Sequence, residues 1–235
     1  MDVRAQSHAL GIGVYSVQQA ARLSEVPARS IHRWLLGYSY RYGDGVTHQP
    51  PVIAREHSVL DLEALSLTFR DLLEIRFVHA FRNCGVSWNV IRRAAEKARD
   101  LFHNDHPFTT KAFHTDGHRI FADLQSEGVK ERKLVDLISD QYAFRHVMLP
   151  SFRAQIELSE RGAERWWPMG RKKLVVLDPT RQFGEPIVAD GGVPTTVLAK
   201  AAAAMNSEQA VAKWYEVSRS AVRQAVTFER HLAAA

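Results

Sequence analysis

The sequence predicts a mainly α-helical protein with small β hairpins, in which a winged helix-turn-helix unit precedes a helix-turn-helix-like unit of three helices. Three observations support this fold class. Residues 16–36 carry apolar side chains at helical spacing on both sides of a tight turn, and residues 37–53 alternate aromatic and polar side chains around a glycine-rich centre. Residues 195–228 return to helical spacing, interrupted by short turn signals.

The first predicted helix begins at Ser16. The Ser16 hydroxyl can cap the helix while Gln19 reaches back to the Ser16 backbone. The side chains expected to form its buried stripe are Val17, Ala20, Ala21 and Leu23. Residues 24–26 make the turn that follows.

The second predicted helix runs from Pro27 to Leu36 and ends at Gly37, because proline suits a first helical position. Ile31, Trp34 and Leu35 are expected to face inward. The outward side chains near its start suit contacts with base edges and phosphates in a major groove. These candidate DNA-binding residues are Arg29, Ser30, His32 and Arg33.

Residues 37–53 indicate a hairpin, or wing, around Gly43-Asp44-Gly45. Phenolic hydroxyl and guanidinium groups can contact the sugar-phosphate backbone without reading sequence. The wing residues expected to make such contacts are Tyr38, Tyr40 and Arg41. The alternative is a loop whose tyrosines cover the core.

A longer helix is expected from Ser87 to about Phe102, with an apolar side and a basic side. The basic side is interpreted as a solvated surface, since charges at helical spacing usually form one. Phosphate contact from Arg92 or Arg93 is the alternative.

Two segments, in this order, resemble the N-terminal domain of MerR-like regulators. The first has Tyr15-Ser16-Val17, the Ala20-Ala21 pair and a turn leading to Ser30-Ile31, with His32 where those proteins usually have arginine. The second runs from Asp71 to Arg92 and contains Gly85, Ser87 and Ile91-Arg92. The resemblance implies a MerR-like winged helix-turn-helix domain over residues 13–102. Two ordinary helical hairpins are the alternative.

Histidines and aspartates gather between residues 103 and 118, and both are ligands of zinc and iron. They are His103, Asp105, His106, His114, Asp116 and His118. Their spacing does not indicate a recognised metal motif, and Thr115-Asp116-Gly117-His118 is typical of a hairpin turn between strands Thr110–His114 and Arg119–Ala122. No metal or other cofactor is therefore expected, and a His/Asp metal-dependent hydrolase remains an alternative.

Three helices are expected near the C-terminus: one opening at Val193-Pro194 or Thr195, one over Glu208–Tyr215, and one capped by Ser218. The last helix presents a second set of polar side chains that could bind DNA or a protein. These are Arg219, Ser220, Arg223 and Gln224.

This C-terminal unit resembles the small domain of VapB-type antitoxins. The matching residues are Phe183-Gly184-Glu185-Pro186, Val193-Pro194 and Tyr215-Glu216-Val217-Ser218, with Gly192 where the family has arginine. Residues 13–232 as a whole resemble a longer VapB-like class. The resemblance implies a non-enzymatic antitoxin that neutralises a cognate toxin, typically a PIN-domain ribonuclease, and represses the shared operon by binding double-stranded promoter DNA.

The expected organisation is a flexible N-terminus at 1–12, the winged domain at 13–102, a connecting region with a β hairpin at 103–170 and the trihelical domain at 171–235. A homodimer is expected because one recognition helix buries too little surface for operator affinity. A net charge of +5 favours a polyanionic partner. The single cysteine, Cys84, excludes a multi-cysteine metal site.

No apolar run is long enough to cross a bilayer, and residues 1–13 lack the features of a secretory signal. A cytoplasmic protein without membrane association is therefore expected. The main rival function is a stand-alone MerR-like transcriptional regulator that responds to a small molecule.

Overall fold

The computed structural model describes residues 11–54, 65–114, 154–170 and 174–234. Its helices are α1 (Val17–Ser24), α2 (Ala28–Leu36), α3 (Phe69–Asn83), α4 (Trp88–Phe102), α5 (Thr195–Met205), α6 (Glu208–Trp214) and α7 (Arg219–Ala234). Its strands are β1 (Tyr15–Ser16), β2 (Tyr38–Tyr42), β3 (Gly45–Gln49), β4 (Ser66–Leu67), β5 (Ile156–Ser159), β6 (Gly162–Trp166), β7 (Val175–Leu177) and β8 (Pro186–Val188). The prediction of a mainly helical fold with small antiparallel sheets is confirmed.

Helices α1 and α2 lie within one residue of the predicted positions: Ser24, expected in the turn, ends α1, and Pro27, expected as the first residue of α2, is its N-cap. The Ser16 hydroxyl accepts the Gln19 N–H at 3.1 Å, and the Gln19 side chain accepts the Ser16 N–H at 2.8 Å. Glu25 ends α1 in the left-handed conformation, and Gly37 ends α2. The predicted inward residues of α2, Ile31, Trp34 and Leu35, are all buried.

Helices α3 and α4 form the central layer beneath this pair. Thr68 and Asp71 make a capping box at the start of α3, and the Ser87 hydroxyl accepts the Val90 N–H at the start of α4. Buried side chains follow one another along almost the whole length of α3, and most of them are apolar. Its buried apolar residues are Phe69, Leu72, Leu73, Ile75, Phe77, Val78 and Phe81, and Asp71 and Glu74 are buried with them.

Strands β5, β6, β7 and β8 form one antiparallel sheet in that order. The hairpin β5–β6 comes before residue 170, and Trp166 of β6 pairs with Leu177 of β7. The sheet therefore joins residues on both sides of the boundary expected between residues 170 and 171.

The strand expected over Thr110–His114 is wrong, because residues 111–114 are helical. The Thr110 hydroxyl accepts the Phe113 N–H at 3.1 Å, as a helix cap does. This conformation buries Phe113 against Phe81 and Phe108, and that aromatic contact outweighs the strand preference of the segment. The rest of the expected hairpin, residues 115–122, lies outside the described residues.

Arg76 of α3 connects three elements at the centre of the fold. Its guanidinium donates to the Leu23 carbonyl of α1 at 3.2 Å and lies 4.1 Å from the centre of the Trp166 ring of β6. Burial lowers the pKa of Arg76 to about 10. The arginine stem and the indole thus bring the sheet against the N-terminal helices.

The N-terminal strand is fastened to the loop that precedes β8. The Tyr15 hydroxyl donates to the Gly184 carbonyl at 2.7 Å in a buried position, and the Val14 N–H donates to the Phe183 carbonyl at 2.9 Å. Near the other end of α1, His231 of α7 lies 3.2 Å from the Glu25 carboxylate. The C-terminal unit is therefore docked on the N-terminal helix pair.

We predict that Gly184→Ala lowers the free energy of unfolding by more than about 2 kcal/mol, measured by urea denaturation. Gly184 has φ +84°, and an added Cβ would lie 2.4 Å from the Tyr15 hydroxyl oxygen. The matched control is Gly85→Ala, because Gly85 has nearly the same φ but an added Cβ meets no atom within 4 Å. The control should lose only about 1 kcal/mol, the cost of the left-handed backbone. Equal losses in the two variants would contradict the prediction.

Candidate nucleic-acid interface

The outward side of α2 carries the side chains that the sequence selects for DNA contact. Arg29, His32 and Arg33 are exposed, and Ser30 is half-buried. The inward residues of the same helix fix this orientation, because Ile31 and Leu35 are almost completely enclosed. Helix α2 therefore presents two guanidinium groups and one imidazole on a single surface.

Arg33 joins this surface to the β2–β3 hairpin. Its guanidinium carbon lies 5.1 Å from the centre of the Tyr38 ring, and the Tyr38 and Tyr40 rings are 6.0 Å apart. A cation over an aromatic face is held in place while its N–H groups remain open to a further acceptor. We call the surface formed by Arg29, His32, Arg33, Tyr38 and Tyr40 the α2–hairpin surface.

Arg41 lies on the other face of the hairpin. Alternate residues of a strand point to opposite faces, so Tyr38 and Tyr40 share one face, whereas Ser39 and Arg41 share the other. On that second face the Ser39 hydroxyl lies 3.2 Å from Nδ1 of His48. The structure thus groups Tyr38 and Tyr40 with the outward residues of α2 and places Arg41 apart from them.

The base of the hairpin is anchored to α2 at both of its ends. On the entry side, Gly37 has φ +73° and an added Cβ would lie 2.5 Å from the Gln49 carbonyl oxygen. On the exit side, the Val52 and Ile53 N–H groups both donate to the Trp34 carbonyl of α2. The hairpin consequently has a defined direction relative to α2.

Two arginines of α4 hold the same base. Arg92 donates to the Pro50 carbonyl, and Arg99 donates to the Val52 carbonyl at 2.6 Å. The basic side of α4 was expected to be solvated, but these two residues anchor the hairpin instead. No sequence signal indicates this role. The acceptors are backbone carbonyl groups, which every residue has, so the side chains of Pro50 and Val52 do not identify them as partners.

The second set of candidate residues has partners within its own unit. Arg219 and Arg223 of α7 both donate to one carboxylate oxygen of Glu208 on α6, at 3.3 Å. The Ser220 hydroxyl lies 2.8 Å from the Ser218 hydroxyl, and Gln224 is half-buried. The positive charge of Arg219 and Arg223 is therefore partly balanced where a phosphate would have to approach.

This chain is similar in sequence to a Mycobacterium tuberculosis protein. Over 228 residues it is 27% identical to a Mycobacterium tuberculosis protein named "Putative antitoxin VapB45". The match covers 92% of this chain and 93% of that protein, so it includes both the N-terminal helices and the C-terminal unit.

A crystal structure of Rv2018 from Mycobacterium tuberculosis has the same overall fold. The TM-score is 0.65 at 21% sequence identity, and the alignment covers 92% of this chain and 99% of that one. No protein-family model matches the sequence.

The histidine and aspartate cluster near residue 106 has structural partners in its described part. Nε2 of His106 lies 2.8 Å from the Asp71 carboxylate, which also accepts the Thr68 N–H that precedes α3. Nε2 of His114 lies 3.1 Å from the Phe108 carbonyl. Within residues 11–54, 65–114, 154–170 and 174–234 no group of three metal-ligating side chains forms. Asp116 and His118 lie outside these ranges.

Within those same ranges the chain has no helix that is long and apolar enough to cross a membrane.

Glu74 lies buried near His106 and Asp71, and its carboxylate accepts the Phe108 N–H at 2.9 Å. Burial raises the pKa of Glu74 to about 7, although the charge of His106 and the Phe108 hydrogen bond act in the opposite direction. The sequence does not single out Glu74, since a glutamate on a helix ordinarily faces water.

We predict that Glu74→Gln gains stability relative to the wild type as the pH rises from about 4.5 to 7. The folded protein holds the Glu74 proton more tightly than the unfolded chain, so the wild type loses up to about 3 kcal/mol over this range, whereas glutamine does not titrate. Urea denaturation at several pH values measures the difference. The exposed Glu96→Gln is the control and should follow the wild type. A constant difference between Glu74→Gln and wild type across this range would contradict the prediction.

Proposed function

We propose that this protein is an antitoxin that binds and neutralises a ribonuclease toxin and represses its own operon by binding double-stranded promoter DNA. The observation that carries the proposal is the similarity to the protein named "Putative antitoxin VapB45" across nearly the whole of both chains. A toxin with a PIN-like domain is the proposed partner, from the VapB-type resemblance of the C-terminal unit. The protein itself has no catalytic role in this proposal.

The α2–hairpin surface supports the DNA-binding part of the proposal. In a MerR-like winged helix-turn-helix, α2 would enter the major groove, and Arg29, Ser30, His32 and Arg33 would meet base edges and phosphates. Tyr38 and Tyr40 would lie along the adjoining backbone, where hydroxyl groups position the protein. Arg41 lies on the opposite face of the hairpin. It would reach DNA only if the tip of the hairpin crosses the phosphate backbone of the DNA.

Affinity for an operator requires two such surfaces. One helix and one hairpin bury less protein surface than specific DNA complexes use, and two-fold symmetry places paired helices about one DNA turn apart. The proposal therefore includes a homodimer, in which each protomer reads one half-site.

The C-terminal unit supports the toxin-binding part. Glu208 balances Arg219 and Arg223 and would repel a phosphate at the same place, so α7 is better suited to a protein surface than to DNA. In this arrangement the N-terminal unit binds DNA and the C-terminal unit binds the toxin.

We predict that the protein binds the duplex immediately upstream of its own coding region at least about a hundredfold more tightly than a scrambled duplex. Fluorescence anisotropy at two salt concentrations measures both affinities. Arg33→Ala should weaken binding to the upstream duplex by about five- to a hundredfold, since it removes a guanidinium from the centre of the α2–hairpin surface.

The matched control for Arg33→Ala is the double variant Arg219→Ala and Arg223→Ala. It removes two exposed arginines from α7 and should leave the affinity for the upstream duplex within about twofold. Equal, salt-sensitive binding to both duplexes would contradict sequence-specific repression. A larger loss in the α7 variant than in Arg33→Ala would transfer DNA binding to the C-terminal unit.

We predict that the protein inhibits the ribonuclease activity of the protein encoded by the adjoining gene, with inhibition complete near equal molar amounts. Cleavage of a labelled RNA by that protein, titrated with this chain, measures the effect. Arg33→Ala should inhibit as well as the wild type does, because the α2–hairpin surface is not used for toxin binding. Cleavage that continues at a tenfold excess of wild type would contradict the antitoxin proposal.

A further inference from the structure

A cavity of about 60 Å³ lies where the C-terminal unit docks on α1. Its lining comes from α1, from the segment that leads into β8, and from α5 and α7. Two contacts hold these units together at the two ends of α1. The Tyr15 hydroxyl donates to the Gly184 carbonyl before α1, and His231 lies 3.2 Å from the Glu25 carboxylate after α1. A molecule in this cavity would therefore touch both units.

Part of the cavity lining is apolar. Tyr15 and Leu23 are buried, and Leu232 of α7 is half-buried. Apolar walls keep water away from one side of the cavity, and charges interact more strongly there than at an open surface.

Three charged groups line the same cavity: the Arg22 guanidinium and the carboxylates of Glu185 and Glu229. In the part of the chain that the structure describes, the side chains of Arg22 and Glu185 have no hydrogen-bond or ion-pair partner. Burial, and after it the charge of Glu185, raise the pKa of Tyr15, so this carboxylate acts on the cavity lining. The cavity thus holds charges of both signs that do not pair with each other.

The third charged group, Glu229, is held in position by a buried hydroxyl. Thr195 is completely buried at the start of α5, and its hydroxyl donates to one carboxylate oxygen of Glu229. The other carboxylate oxygen remains able to accept a hydrogen bond from a ligand.

The size of the cavity limits a ligand to a few atoms. One water molecule needs roughly 10–15 Å³ of such space, so about 60 Å³ accommodates about four to six non-hydrogen atoms. Sites for cofactors and drug-sized molecules measure roughly 300–1,000 Å³, which excludes a nucleotide.

The signs of the charges indicate the class of ligand. A small anion would pair with Arg22 but would meet two carboxylates, whereas a small cation would pair with the carboxylates but would meet Arg22. A molecule with one charge of each sign can pair with all three groups. Glycine and alanine have this character and about this size, and the methyl group of alanine would meet the apolar lining.

We infer that this cavity binds a small α-amino acid. Its carboxylate pairs with the Arg22 guanidinium, and its ammonium group donates to Glu185 and Glu229. The bound molecule joins α1 to α7 and to the segment before β8, so it stabilises the docking of the C-terminal unit. The site uses no residue of the α2–hairpin surface and does not rest on the proposed antitoxin function.

Equilibrium dialysis of the full-length protein against labelled L-alanine, and separately against labelled glycine, tests the site. We expect saturable binding of one molecule per chain, with a dissociation constant below about 2 mM for at least one of the two. Propionate and ethylammonium each carry only one of the two charges of alanine. At about 10 mM neither should displace the bound amino acid as unlabelled amino acid does.

Arg22→Gln and Glu185→Gln each remove one charge from an exposed side chain of the cavity. Each should raise the dissociation constant at least about tenfold, because a charge-assisted hydrogen bond is lost. The matched controls Arg161→Gln and Glu216→Gln remove the same groups from exposed positions outside the cavity. They should leave the dissociation constant within about twofold of the wild type. Circular dichroism establishes that each variant is folded.

Absence of saturable binding of both amino acids at about 10 mM would overturn the inference. Wild-type affinity in a folded Arg22→Gln or Glu185→Gln variant would also overturn it. Displacement by ethylammonium alone, or by propionate alone, as effective as that by unlabelled amino acid would overturn it too, because the site would then recognise a single charge.

Discussion

The buried contact between Tyr15 and the Gly184 carbonyl fixes the relation between the two ends of this chain. It joins the strand that leads into α1 to the loop that leads into β8, and glycine is required because a side chain at position 184 would occupy the hydroxyl position. Burial also raises the pKa of Tyr15, so the hydroxyl stays protonated and remains a donor. His231 reinforces the docking at the C-terminal end of α1 through Glu25, and Arg76 joins the same end of α1 to Trp166 of β6. A partner of the C-terminal unit would therefore act on a surface packed directly against the first helix.

The candidate DNA-binding surface depends on a second set of fixed contacts. A two-stranded hairpin alone is marginally stable in water, so its direction must be set by what holds its base. Trp34 and the arginines at 92 and 99 supply that support through backbone carbonyl groups. Tyr38 then lies against Arg33, and the helix and the hairpin present one surface. The arginines that hold the hairpin lie on α4, far from α2 in sequence.

Helix positions could be predicted because their signals are local. Ser16 with Gln19, Ser87, and Ser218 cap helices through residues three positions away, and their spacing is visible in the sequence. The four-stranded sheet could not be predicted, since its strands have three to five residues and β6 meets β7 through one residue pair. The helical turn at residues 111–114 was missed for a related reason: Phe113 is held by Phe81 and Phe108, which local strand propensity does not include.

The sequence by itself determined the mainly helical fold class, the bounds of α1 and α2 to within one residue, and the residues that α2 turns outward, because caps and hydrophobic periodicity act over a few residues. Only the tertiary structure decided which charged groups remain open. Arg33 is exposed and lies against Tyr38, whereas Arg92 and Arg99 bind the hairpin and Arg219 and Arg223 bind Glu208. The hydrogen-bond partner of a long charged side chain is set by elements distant in sequence. Whether that side chain is available to bind DNA or a protein therefore follows from packing and not from its position in the sequence.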